Sequence, residues 1–151
     1  MMHATDGTDK IYAFTLVTTD WQHQRNALSA IRRTVFIEEQ QVPESLEWDD
    51  EDDEAIHVLA FSLEGEAIGC ARLLHDGRLG RMAVLPDWRG YGVGSALLAH
   101  ALELFRAQYF EQVTLSAQTH ALGFYERAGF EVCSEVYDDA GIPHRDMVLT
   151  L

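Results

Sequence analysis

Apolar and polar residues alternate from Ile11 to Val17, with Tyr12, Phe14 and Leu16 on one side and Ala13 and Thr15 on the other, which predicts a first strand. The period then changes. Leu28, Ile31 and Val35 recur at helical spacing, so a helix is expected from about Asp20 to Phe36, with Thr19 and Gln22 placed as a capping box. Pro43 and the acidic residues after it end that helix in a loop. Two apolar stretches, Ala55 to Leu63 and Ala67 to Leu74, flank Glu64-Gly65-Glu66 and read as a hairpin. A turn at His75-Asp76-Gly77 leads to a short strand over Leu79 to Leu85, which Pro86 stops. Ala96, Leu97, Leu98, Ala101, Leu102 and Phe105 mark an amphipathic helix that ends near Gln108. Val113 to Ala117 reads as a strand and Thr119 to Ala128 as a short helix capped by Gly129. Phe130 to Tyr137 and Arg145 to Leu151 form a last strand pair around the turn Asp138-Asp139-Ala140-Gly141. About seven strands and three helices in this mixed order predict one layered α/β (α+β) domain, residues 1–151, with a mostly antiparallel sheet.

Between the strand ending at Leu85 and the helix beginning near Ala96 lies Arg89-Gly90-Tyr91-Gly92-Val93-Gly94. Glycines let a backbone approach a ligand closely, and the first N–H groups of a helix have no internal partner. With the helix dipole behind them, such groups suit a phosphate or pyrophosphate, and Arg89 adds a cation at the mouth. A Walker loop is excluded because Ser95 follows Gly94 with no lysine between. The dinucleotide fingerprint is also absent, since the spacing is Gly-x-Gly-x-Gly and the loop lies beyond mid-chain.

Composition narrows the class. The 151 residues are 47% hydrophobic, enough for one core, and no apolar run approaches the ~20 residues of a membrane helix. Residues 1–10 are polar and lack the apolar centre of a secretion signal, so a cytoplasmic protein is expected. Cys70 and Cys133 both fall in apolar stretches and read as two buried free thiols rather than a disulfide. Nothing has the spacing of a zinc site. The formal net charge of −14 disfavours nucleic acid and attracts cations. Residues 49–54, Asp-Asp-Glu-Asp-Asp-Glu after Glu47 and Trp48, read either as a solvated loop or as carboxylates and an indole offered to a cationic amine.

Arg-Gly-x-Gly-x-Gly after a Val-x-Pro strand end resembles the signature of the GCN5-related N-acetyltransferases (GNAT). Ala121, Phe124, Tyr125, Gly129 and Phe130 resemble that family's second motif, in the right order and at the right separation. The segment Val35 to Pro43 and Gly141-Ile142-Pro143-His144 are similar to its ElaA-like branch. The resemblance implies acetyl-CoA lying between two splayed parallel strands, placed here at Leu79–Leu85 and Val113–Ala117. Met82, Ala83 and Val84 would line the pantetheine arm, with the Val84 amide facing the thioester oxygen. Arg89, Gly90, Tyr91, Gly92, Val93 and Gly94 would hold the pyrophosphate. Gln118 stands where many relatives have asparagine, which weakens the contact expected there. Tyr125 matches the family's tyrosine acid. The family's strand glutamate has no counterpart, so Glu39, His57 and His144 remain alternative bases. What is implied is direct acetyl transfer to a primary amine of a small cationic acceptor, without a metal and with room for a homodimer. A non-catalytic acyl-CoA-binding domain, a peptide acetyltransferase and a module for basic partners are the other readings.

Overall fold

The computed structural model describes residues 11–151. Strand β1 (Phe14–Thr19) pairs antiparallel with β2 (Ile56–Ser62), β2 with β3 (Ala67–Leu73), and β3 with β4 (Leu79–Val84). The alternation at the start holds, since Phe14 and Leu16 pack on the core and Thr15 is exposed. The ladder nevertheless opens at Phe14 and continues to Thr19, opposite His57. Thr19 is therefore a strand residue, and the helix cap is Asp20, whose carboxylate accepts the His23 N–H at 2.8 Å.

Helix α1 (Trp21–Arg32) buries Leu28 and Ile31 and runs on into a π-helical segment, Arg33–Glu39, that buries Val35. Bonds from Gln40 N to Val35 O and from Val42 N to Phe36 O close this wider turn. Such segments are uncommon and often mark functional sites. A short α2 (Glu44–Glu47) follows.

The acidic run is neither a free loop nor an open platform. Arg32, buried at 1% exposure, donates to Glu47 at 2.8 Å and to Asp52 at 2.7 Å. Arg72 reaches Asp49 and Asp52 at 2.8 and 3.3 Å, Arg78 reaches Glu51 at 2.8 Å, and Arg81 reaches Glu47 and Asp49 at 2.9 and 3.2 Å. Trp48 lies under the guanidinium groups of Arg32 and Arg33 at 5.3 and 5.7 Å. Arginines from α1, β3, β4 and the turn just before β4 thus hold Glu47, Asp49, Glu51 and Asp52, and Asp50, Asp53 and Glu54 remain exposed. His57, buried beside this cluster, donates Nε2–H to the Asp52 carbonyl at 3.0 Å.

Burial pushes the His57 pKa below its ordinary 6.5. Between the folded value and 6.5 the unfolded chain binds more protons than the folded one, so stability rises with pH across that window. Melts of the native chain between pH 5 and 7.5 are expected to show this slope, and His57→Gln to flatten its upper part. An unchanged slope in the variant would assign it to other groups.

Two strand expectations need correction. Phe130 to Tyr137 is not one strand but two, β6 (Glu131–Val132) and β7 (Tyr137–Asp139), both paired with β8 (Ile142–Thr150). Between them the Arg145 guanidinium donates to the Ser134 carbonyl and Asp146 N–H donates to Ser134 Oγ, side-chain bonds that replace the ladder. Cys133, at this break, is exposed, whereas Cys70 is buried with its thiol pushed up to about 12. β8 also begins earlier than Arg145, because the two-residue turn Ala140-Gly141 has positive φ at both positions, the hairpin geometry.

Helix α3 (Val93–Ala107) buries Leu97, Leu98, Ala101, Leu102 and Phe105 against the sheet, as its spacing predicts. It lies so close to β3 that a Cβ on Gly69 would stand 3.0 Å from Val93 and 3.1 Å from Leu97. β5 (Gln112–Gln118) pairs antiparallel with β8, and a turn at Thr119–Ala121 leads into α4 (Leu122–Glu126), shorter than expected. The eight strands thus form two four-stranded sheets, β1-β2-β3-β4 and one with β8 between β5 and β6–β7. Among the described residues a single parallel bridge, Arg78 to Thr114, joins them, with Thr114 N–H donating to Gly77 O at 3.0 Å. No helix of the described residues is long and apolar enough to cross a membrane.

Candidate active site

From the Arg78–Thr114 bridge, β4 and β5 run in parallel and part. β4 has a bulge: Cys70 faces Ala83 but Arg72 faces Gly80, so β4 carries one extra residue, and Arg81 there has φ +46°. The extra residue turns Arg81 back toward Glu47 and Asp49. At the strand end Leu85 N–H donates to Ile68 O at 2.9 Å. Antiparallel alternation then turns the Val84 N–H away from β3 and into the cleft.

The glycine loop closes one end of this cleft. Gly90 and Gly92 both have φ +84°, and a Cβ on either would meet nothing within 4 Å, so their outer surface is open. Gly92 caps α3, and the first intrahelical bond is Ala96 N to Gly92 O. The N–H groups of Val93, Gly94 and Ser95 precede that bond and carry the positive end of the helix dipole. The loop is braced from outside: Tyr12 stacks on Tyr91 at 3.5 Å and meets Trp88 edge-on at 5.0 Å. Gly94 lies under α4, where a Cβ would touch the Phe124 ring at 3.5 Å and Val84 at 3.8 Å. Arg89 donates Nε–H to the Val84 carbonyl at 3.0 Å and both terminal nitrogens to Glu39 at 2.7 and 2.6 Å. This bond holds the Glu39 carboxyl below the usual carboxylate range.

Tyr125 packs edge-on against Phe124 and Phe130, and its hydroxyl lies 3.8 Å from Met82 Sδ on β4. Burial pushes the phenol up to about 12, so it is a protonated donor at neutral pH. A thioether sulfur is a weak acceptor, and a stronger one could take this O–H.

On the opposite face of β5 and β8 is a second polar group. Gln118 donates Nε2–H to Gln40 Oε1 at 2.7 Å and accepts from His120 at 2.6 Å, tying the end of β5 to the end of the π-helical segment. His144, buried and directly across the ladder from Gln118, must carry its proton on Nδ1, which donates to the Ile142 carbonyl at 2.7 Å. In the neutral imidazole this leaves Nε2 as the acceptor nitrogen. Tyr137 stacks against His144, donates to Asp146 at 2.5 Å and is hydrogen-bonded to Ser116.

The loop, Val84 and Tyr125 thus border one cleft, and Gln118 and His144 stand beside it on the side of the α1 extension. Glu39 is bound to the loop instead of standing with His144, and His57 is among the arginines. Gln40, Ser116, Tyr137 and Asp146 escaped the sequence reading. A register for β5, β7 and β8 would have brought the last three together, because Ser116 faces Asp146 and Tyr137 faces His144.

Residues 17–151 match the profile described as an acetyltransferase (GNAT) domain. The chain belongs to the GNAT family. The N-acetyltransferase YjcF of Bacillus subtilis is 37% identical over 123 residues, covering 78% of this chain and 86% of that protein. Protein ElaA of Escherichia coli is 33% identical over 132 residues, covering 82% of this chain and 86% of its own. The crystal structure of that ElaA superposes with a TM-score of 0.79 over 90% of this chain and 99% of its own, at 30% identity. An acyl-CoA N-acyltransferase from Pseudomonas aeruginosa superposes at 0.80 with 31% identity and the same coverage. This GNAT chain, of the ElaA-like branch, is an acyl-CoA-dependent acyltransferase, so it needs a place for a thioester and its pyrophosphate. The residues fit such a group: an open, helix-capped glycine cradle, an inward amide at Val84 and a protonated phenol beside β4.

Proposed function

We propose that this GNAT protein transfers acetyl from acetyl-CoA directly to a primary amine of a small cationic acceptor in the cytoplasm. The observation that carries the reading is the open glycine cradle at one end of a cleft whose wall holds the Tyr125 hydroxyl. The pyrophosphate lies on the N–H groups of Val93, Gly94 and Ser95, and the pantetheine arm runs along Met82 to Val84. The Val84 N–H takes the charge that develops on the thioester oxygen. His144 Nε2 accepts a proton from the acceptor ammonium, directly or through one water. The freed amine attacks the carbonyl, the C–S bond breaks, and Tyr125 O–H bonds the departing sulfur. No acyl-enzyme forms, so Cys70 and Cys133 have no chemical task. Charge supports a cationic acceptor: Asp146 is exposed beside His144 and Tyr137, on a chain of net charge −14.

Titration calorimetry with acetyl-CoA tests the cofactor site. The native chain is expected to bind, and Gly92→Glu to bind at least about thirtyfold more weakly, because its carboxylate would occupy the open cradle. No binding by the native chain at millimolar acetyl-CoA would overturn the reading. Thiol release with a panel of amines then tests the acceptor class. Asp146→Asn should raise KM for a cationic amine roughly three- to tenfold with kcat little changed. An equal KM in both proteins would remove Asp146 from recognition.

A further inference from the structure

Arg89 is the only lysine or arginine between Arg81 and Arg106, so it is the one cation that the glycine loop itself supplies. In the structure its guanidinium is fully engaged on one side. Nε–H on the Val84 carbonyl fixes the plane beside the end of β4, and both terminal nitrogens address the two oxygens of Glu39. A paired fork of this kind is the strongest arrangement an arginine and a carboxylate can form. It is the same geometry with which a guanidinium meets a phosphate. Both partners are about two-fifths exposed, so the pair faces solvent and can exchange. Glu39 is also the last residue of the π-helical segment, contributed from 50 positions away in sequence, and among the described residues Arg89 is its one ion-pair partner. The rest of the chain adds to the effect, since a net charge of −14 opposes the approach of any polyanion.

We propose that Glu39 is an internal counter-ion for the phosphate cradle: it occupies Arg89 in the free protein and yields it to the pyrophosphate of the cofactor. Glu39 then sets cofactor affinity and is not the proton acceptor of the reaction. The inference rests on the reading of Arg89 to Gly94 as the pyrophosphate site.

Calorimetric titration of CoA into the native chain, Glu39→Gln, Arg89→Gln and the double variant tests it, with thermal melts to show that each is folded. Glu39→Gln should bind CoA roughly three- to tenfold more tightly, the range an exposed but well-formed pair can supply. In the Arg89→Gln background the same change should alter affinity less than about twofold, because the group it competes for is gone. Weaker or unchanged binding by Glu39→Gln would overturn the proposal and make Glu39 a support for Arg89. An equal gain in both backgrounds would also overturn it, as a general effect of removing negative charge. Failure of the native chain to bind CoA would instead overturn the cofactor reading on which the proposal stands.

Discussion

Replacing Tyr125 with phenylalanine is expected to lower kcat by about 10²-fold or more, with the Kd for acetyl-CoA held within about twofold. Phenylalanine keeps the edge-on contacts with Phe124 and Phe130, so the variant removes one hydroxyl and leaves the core filled. Its chemistry follows from where burial places the phenol, at about 12. An ordinary thiol titrates near ~8.5, so handing over a whole proton from Tyr125 would be uphill by about three and a half units, on the order of 5 kcal/mol. The hydroxyl is therefore expected to act by donating a hydrogen bond to the leaving sulfur, while the proton that sulfur takes up comes from the attacking amine. In consequence kcat should show no break from tyrosine ionisation below pH ~10, and the rising limb should belong to the base. Turnover by Tyr125→Phe within threefold of native would reduce Tyr125 to a packing residue.

Arg32→Ala should destabilise the fold by about 3–5 kcal/mol in urea titrations, because it leaves Glu47 and Asp52 buried without their shared partner. The loss should also depend on pH. Burial already pushes the Glu47 carboxyl above its ordinary value, against the pull of the arginines. Without Arg32 the folded value rises further above the unfolded one, so the folded variant binds more protons and its stability falls as pH increases. The variant should therefore be closest to native near pH 5 and furthest from it near pH 8. A uniform loss below 1 kcal/mol would mean that Arg72 and Arg81 suffice to hold the acidic run.

Where contacts are local, the amino-acid order told most of the story. The hairpin of β2 and β3, the buried stripe of α3 and the glycine loop all depend on neighbours a few positions apart. Tyr125 was legible as a candidate, through the motif around it. What escaped depends on pairs far apart in sequence. Arg32 meets Asp52 across 20 positions, Glu39 meets Arg89 across 50, and Gln40 meets Gln118 across 78. The acidic run was misjudged for that reason, since its composition does not say that arginines on three other elements wait for it. The break at Ser134 escaped because Phe130 to Tyr137 reads as apolar and extended, and only Arg145 and Asp146 across the ladder reveal why pairing stops. His144, the base proposed above, has its tautomer set by one carbonyl, which no spacing announces.

Dividing the sheet at the Arg78–Thr114 bridge also bears on solubility. An open sheet of eight strands ordinarily presents two long edges to solvent, where another chain can add itself. Here β4 and β5 turn their edges toward each other on either side of the one bridge that joins the sheets. Outside, β1 is a six-residue edge of mostly threonine and apolar residues, and β6 and β7 span only two and three residues. These inward edges are less open to intermolecular strand addition, and among the described residues β1 is the longest outer edge, where a charged substitution at the exposed Val17 is expected to reduce association.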